Sequence, residues 1–227
     1  MPGADDPRAR LLAGRRLYLC TPDRPDLAEF LTACISGGVD VVQLREKSLD
    51  ARPLLARALL AADVCAQFGV PFILNDRPDL ALASAASGVH VGQDDTPPPV
   101  ARQILGPAAI VGLSTHAPIE WDAAAVAWSG DLDSIDYLSA GPVNPTPTKP
   151  GRPGTGLAYI EYVASTKVGG EDGIPWFVTG GVTPETVPEM ASAGARRFVV
   201  VRYLTESDNP ERSAGRLREV VDRSAGW

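Results

Sequence analysis

Several things are scarce in this sequence, and each scarcity excludes something. Cysteine is rare and odd in number: Cys20, Cys34 and Cys65 stand apart without metal-ligand spacing. That argues against a disulfide-stapled secreted scaffold and against a cysteine zinc site. All three read as buried small hydrophobes. Basic residues are not in surplus. With 21 Lys and Arg against 28 Asp and Glu, the net charge is −7, so the chain is not built to bind nucleic acid or an anionic membrane non-specifically. No apolar run approaches the roughly 20 residues of a membrane span. The opening M-P-G-A-D-D-P-R-A-R lacks the apolar stretch of a signal peptide. A cytoplasmic protein is the expectation. No G-x-G-x-x-G follows the first strand candidate, and there is no low-complexity segment.

What is present is a regular alternation. Hydrophobic residues make up 44% of 227, enough for a substantial core. Short apolar runs mark strands over 15–20, 39–45, 70–75, 88–92, 109–114, 135–140, 175–179 and 197–201. Between and after them, helical patterns cover 27–36, 49–68, 78–87, 98–105, 118–128, 157–166, 184–193 and 211–223. The strands are continuous apolar runs, as parallel strands buried on both faces must be. Eight strand-plus-helix units in a chain of this length predict an α/β fold, a single (β/α)8 TIM barrel. A doubly wound open sheet is the alternative, weakened by the missing dinucleotide fingerprint. Residues 1–14 read as a flexible tail, 15–227 as the barrel domain, and 168–173 as a flexible surface loop.

In such a barrel the chemistry sits at the C-terminal ends of the strands. The second strand ends Q-L-R-E-K, and period two puts Gln43, Arg45 and Lys47 on one side. They read either as a phosphate clamp or as ion-pairing caps toward Glu46 or Asp76. The third ends in Asn75, Asp76 and Arg77, the fourth in Gln93, Asp94 and Asp95. Carboxylates from adjacent strand ends suit a hard cation such as Mg²⁺; ordinary helix capping by Asp76 or Asp95 is the other reading. Ser114, Thr115 and His116 end the fifth strand without a third partner for nucleophilic catalysis. Gly180 and Gly181 can bring backbone N–H groups to an anion, and Val201 and Arg202 end the eighth strand. The loop V-N-P-T-P-T-K-P-G holds two threonines and Lys149 among stiffening prolines. Two anion sites result, one metal-assisted and one built largely of backbone. His90 reads as an internal barrel residue, and His116 receives no role.

Q-L-R-E-K (43–47), N-D-R (75–77), G-V-H-V-G-Q-D-D (88–95), G-L-S-T-H (112–116), G-P-V-N-P-T-P-T-K (141–149) and G-G-V (180–182) together resemble the thiamine phosphate synthases. The resemblance runs in register from about residue 16 to 220. It implies a TIM barrel that joins a hydroxymethylpyrimidine diphosphate to a thiazole phosphate, releasing pyrophosphate. It places pyrimidine-diphosphate contacts at Gln43, Leu44, Arg45, Glu46, Lys47, Asn75, Ser114 and Lys149. Mg²⁺ would be held by Asp76 and Asp95. Thiazole-phosphate contacts fall on Thr146, Pro147, Thr148, Gly181, Val201 and Arg202.

The implied reaction is dissociative and needs no protein nucleophile. Arg45, Lys47, Ser114 and Lys149 would act on the departing pyrophosphate. Some positions depart from the family pattern: Arg202 stands where many members carry serine, Tyr203 where they carry a small residue, Asn144 in place of an aromatic or apolar residue, and Thr179 in place of isoleucine. The competing readings are a homologous thiazole tautomerase and a non-catalytic barrel binding thiamine precursors. The partners implied are small molecules, and the reading leaves room for a homo-oligomer.

Overall fold

The structure, a computed structural model, describes residues 7–129, 134–145, 153–166 and 173–224. Eight parallel strands close a barrel in the order β1 to β8: β1 (Leu17–Thr21), β2 (Val41–Leu44), β3 (Phe72–Asn75), β4 (Gly88–Val91), β5 (Ile110–Thr115), β6 (Tyr137–Ala140), β7 (Trp176–Val178) and β8 (Phe198–Val200). The helices are α1 (Pro7–Leu12), α2 (Leu27–Ser36), α3 (Ala51–Gln67), α4 (Pro78–Ala83), α5 (Pro98–Leu105), α6 (Pro118–Ser129), α7 (Gly156–Ser165), α8 (Val187–Ser192), α9 (Arg202–Thr205) and α10 (Pro210–Ser224). The expected barrel is what the chain forms, with strand ends within two residues of the sequence reading. Two helices were not anticipated. Within the segment expected as a tail, Pro7–Leu12 forms α1, and Arg8 makes a buried ion pair with Asp136 at 3.2 Å. Arg202 opens α9 instead of ending a strand.

Alternation along the strands makes two cores. Outward residues such as Leu19, Val42, Leu74, Val89 and Leu138 meet the helices. Inward residues Val41, Ile73, Ile110 and Phe177 pack with the rings of Tyr18 and Tyr137, and Leu12 joins them from α1. At the N-terminal end of the barrel, the buried carboxylate of Asp40 accepts bonds from the N–H groups of Arg16 and Leu17 and pairs with Arg218 at 2.7 Å. Asp136 likewise accepts from Val111 N–H and pairs with Arg102 at 2.6 Å. Burial pushes both carboxyls above the usual range, opposed by these partners.

Two inward glycines leave room for bulk on neighbouring strands. Gly112 lies in register with Tyr137, and a Cβ there would meet the Tyr137 ring at 2.2 Å. Gly88 lies in register with Ile110, and its Cβ would fall 2.0 Å from the Ile110 carbonyl oxygen. Backbone in a closed barrel cannot swing aside as a side chain can. Gly88→Ala is therefore expected to cost about 3 kcal/mol, read as a fall in Tm of about 6–12 °C. A thermal unfolding curve matching the wild type would refute the close approach.

Candidate active site

Toward the C-terminal ends of the strands the inward layer turns polar. Cys20, Gln43, Asn75, His90, Ser114, Ser139 and Thr179 line one cavity open to solvent. Its wall is completed by Arg45, Gly180, Gly181, Val201, Arg202 and Tyr203. Most polar side chains this deep are hydrogen-bonded, and a continuous chain crosses the floor. The Cys20 thiol donates to Gln43 Oε1 at 3.3 Å, and Gln43 Nε2 donates to the Tyr18 hydroxyl at 2.7 Å. The Tyr18 and Tyr137 hydroxyls lie 2.9 Å apart. Tyr137 meets His90 Nδ1 at 2.9 Å, and His90 Nε2 meets Ser114 Oγ at 2.8 Å. The His90 ring stacks on Tyr137, with centroids 5.4 Å apart. Burial pushes both phenols well above their ordinary pKa, so they stay protonated.

At the rim, Lys47 Nζ stands 2.8 Å from Asp76 Oδ2. The Asp76 and Asp95 carboxyls come within hydrogen-bonding reach of one another. Asp76 is anchored by its N–H to the His90 carbonyl at 2.9 Å, and its φ of 62° is a left-handed conformation that aspartate tolerates better than most residues. Asp95 Oδ2 accepts the Gly92 N–H at 2.8 Å. Burial, then the neighbouring Asp95, raises the Asp76 pKa against the pull of Lys47. For Asp95, burial alone would raise it, but the Asp76 hydrogen bond, the Gly92 N–H and Lys47 hold it below the usual range. Neither aspartate caps a helix: α4 starts after Arg77 and α5 after Pro97.

The predicted site residues divide by position. Gln43, Arg45, Asn75, Ser114, Gly181, Val201 and Arg202 share the cavity. Among the described residues, Arg45 and Arg202 have no carboxylate partner, and the Asn75 side chain makes no hydrogen bond. Gly180 and Gly181 adopt φ of 94° and 83°, and their N–H groups donate to no described group. Leu44 points into the outer core, so only its backbone faces the strand end. Glu46 binds the N–H and hydroxyl of Ser48, which hold its carboxylate below the usual range. His116 bonds Glu120 at the start of α6. Thr146, Pro147, Thr148 and Lys149 lie outside the described residues. Sequence reasoning missed Tyr18, Tyr137 and Ser139, and gave Cys20 no polar part. Cys34 and Cys65 are buried as expected, their thiols pushed up to about 12 by burial.

Two carboxyls suit a hard cation that takes one or two protein carboxylates and completes its shell with water and substrate phosphate. Among the described residues no group of three or more His, Cys, Asp or Glu is poised for a metal.

A family profile described as thiamine monophosphate synthase matches residues 17–204. The thiamine-phosphate synthase of Mycobacterium sp. (strain KMS) is 44% identical over 228 aligned positions, covering 95% of this chain and 96% of that one. Its counterpart from Streptomyces avermitilis is 46% identical over 206 positions, covering 89% and 92%. Among solved structures, thiamine phosphate pyrophosphorylase from Pyrococcus furiosus superposes with a TM-score of 0.80 at 26% identity, covering 96% of this chain and 99% of its own. Sequence, fold and the composition of the cavity agree, and the chain belongs to the thiamine monophosphate synthase family.

Proposed function

We propose that this barrel condenses 4-amino-2-methyl-5-(diphosphooxymethyl)pyrimidine with a thiazole phosphate, or its carboxylated form, to give thiamine phosphate and pyrophosphate. The observation that carries the reading is the meeting of Asp76 and Asp95 beside Lys47 at the C-terminal ends of β3 and β4, in a barrel whose cavity wall holds Arg45 and Arg202, guanidinium groups without a carboxylate partner among the described residues. That is a site for a metal-bound diphosphate. Asp76 and Asp95 would hold Mg²⁺, which when bound neutralises charge on the diphosphate. No helix among the described residues is long and apolar enough to cross a membrane, and the proposed chemistry belongs in the cytoplasm.

The chain's own residues have distinct tasks. Gln43 and Asn75 orient the aminopyrimidine. Arg45, Lys47, Ser114 and Lys149 take up charge as the bond between the methylene carbon and the diphosphate oxygen breaks. The electron-rich aminopyrimidine stabilises the resulting cation, and the thiazole nitrogen supplies the electron pair for the new bond. Gly181, Val201, Arg202 and the loop Thr146 to Thr148 hold the thiazole phosphate. Holding two substrates in line and stabilising a leaving anion accounts for a site without a nucleophile.

Three outcomes test this. Purified protein given both substrates and Mg²⁺ is expected to release thiamine phosphate and pyrophosphate in equal amounts, and EDTA to stop both. Thiazole binding without pyrophosphate release would refute the synthase. Because burial and Asp95 raise the Asp76 pKa and protonation competes with a cation for this carboxylate, the half-saturating Mg²⁺ concentration is expected to fall as pH rises through the Asp76 titration. Asp76→Asn keeps a side chain tolerant of this backbone; it should raise the requirement at least about tenfold and flatten its pH dependence. An Asn variant with wild-type metal titrations would remove Asp76 from the metal site. Lys149→Met is expected to lower kcat about a hundredfold with little change in KM for the thiazole phosphate; normal turnover would exclude Lys149 from leaving-group stabilisation.

A further inference from the structure

The proposed mechanism uses Ser114 but leaves idle the buried groups beneath it. We propose that Tyr137 and His90 are positioning residues: a one-way chain of hydrogen bonds from Gln43 keeps His90 as its Nε2–H tautomer and makes the Ser114 hydroxyl a donor toward the diphosphate. The functional half of this rests on the reading that a diphosphate binds at Ser114.

The direction follows from counting protons. Gln43 Nε2 can only donate, so the Tyr18 oxygen accepts at 2.7 Å. Tyr18 is 1% exposed, and its single proton has the Tyr137 oxygen at 2.9 Å to go to. Tyr137, fully buried, has then one proton left, and His90 Nδ1 lies 2.9 Å away. An imidazole that accepts at Nδ1 carries its hydrogen on Nε2, and Nε2 lies 2.8 Å from Ser114 Oγ. Ser139 Oγ donates to the same oxygen at 3.4 Å. With its lone pairs engaged from below, Ser114 has its own hydrogen to offer to the cavity. The reverse direction ends badly. It would bring the Tyr18 O–H against the Gln43 NH₂, donor facing donor, at a contact between residues only 1% and 5% exposed. Burial keeps both phenols protonated, so neither can relieve that clash by ionising.

The polarity matters because phosphate oxygens accept and do not donate. A Ser114 that had to donate to His90 would turn a lone pair toward the leaving anion. Gln43 and Ser114, on opposite sides of the cavity floor, are thus tied by one chain of protons.

Ring-nitrogen spectra of ¹⁵N-labelled protein test the claim. The chain has two histidines, so His116→Gln assigns the signals. Wild-type His90 is expected to show the Nε2–H tautomer; an Nδ1–H tautomer would overturn the proposal without any site variant. Tyr137→Phe removes one oxygen and keeps the ring. It is expected to move His90 toward Nδ1–H and to lower kcat about tenfold or more, with KM for the thiazole phosphate unchanged. An unshifted tautomer, or a shifted tautomer with undiminished kcat, would overturn it. Should the wild-type protein form no thiamine phosphate, the reaction assignment fails on its own. Affinity for inorganic pyrophosphate then replaces kcat: weaker binding by Tyr137→Phe supports the chain, and equal binding refutes its effect on Ser114.

Discussion

In a closed barrel every second residue of a strand must face the axis, and the whole site depends on that parity. On β2 it sends Val41 into the apolar floor, Gln43 into the cavity and Arg45 to its wall. On β3 it does the same with Ile73 and Asn75, on β5 with Ile110 and Ser114, and on β6 with Tyr137 and Ser139. A shift of one residue in any strand would send those polar groups outward against the helices and bring leucine or valine into the pocket. The apolar layer also gives the polar layer its strength. Buried hydrogen bonds above a dry floor are worth more than the same bonds in water, and leaving one unmade costs about 1–3 kcal/mol.

The two ends of the barrel divide stability from chemistry. At the lower end Asp40 and Asp136 are buried, and each is matched by arginines and backbone N–H groups. Removing one partner of such a pair typically costs about 3–5 kcal/mol, so these carboxylates hold strand ends in place. At the upper end, among the described residues, Asp76 and Asp95 have no arginine partner: they face each other and the half-exposed Lys47, and Asp95 accepts the Gly92 N–H. An acidic pair left with so little compensation is suited to receiving something positive.

Much of this is legible from the chain because its signals are local. A run such as V-D-V-V-Q-L-R states both strand and parity, and parity puts Gln43 and Arg45 in the cavity. The carboxylate pair follows from knowing that β3 and β4 are neighbours. What fails is what depends on contacts between distant strands. Tyr137 reads as core because I-D-Y-L-S-A is apolar in period; its hydroxyl finds Tyr18 on β1 and His90 on β4. α1 was hidden because P-R-A-R-L-L is too short to carry a helical period, and it is ordered by the Arg8–Asp136 pair far along the chain. Arg202 was placed at a strand end because V-V-V runs straight into it, whereas the backbone turns into α9 there.

Gly112 shows how an empty position can carry information. Its missing Cβ is the space in which the Tyr137 ring lies, so part of the cavity floor is cast in a mould that no side chain marks. Residue 112 therefore cannot gain a side chain while a full ring stands at 137. A methyl group at one demands a smaller ring at the other, and a smaller ring gives up the phenol that bridges Tyr18 and His90. The constraint runs one way: the empty position at 112 makes room for the ring, and the ring carries the phenol to Tyr18 and His90.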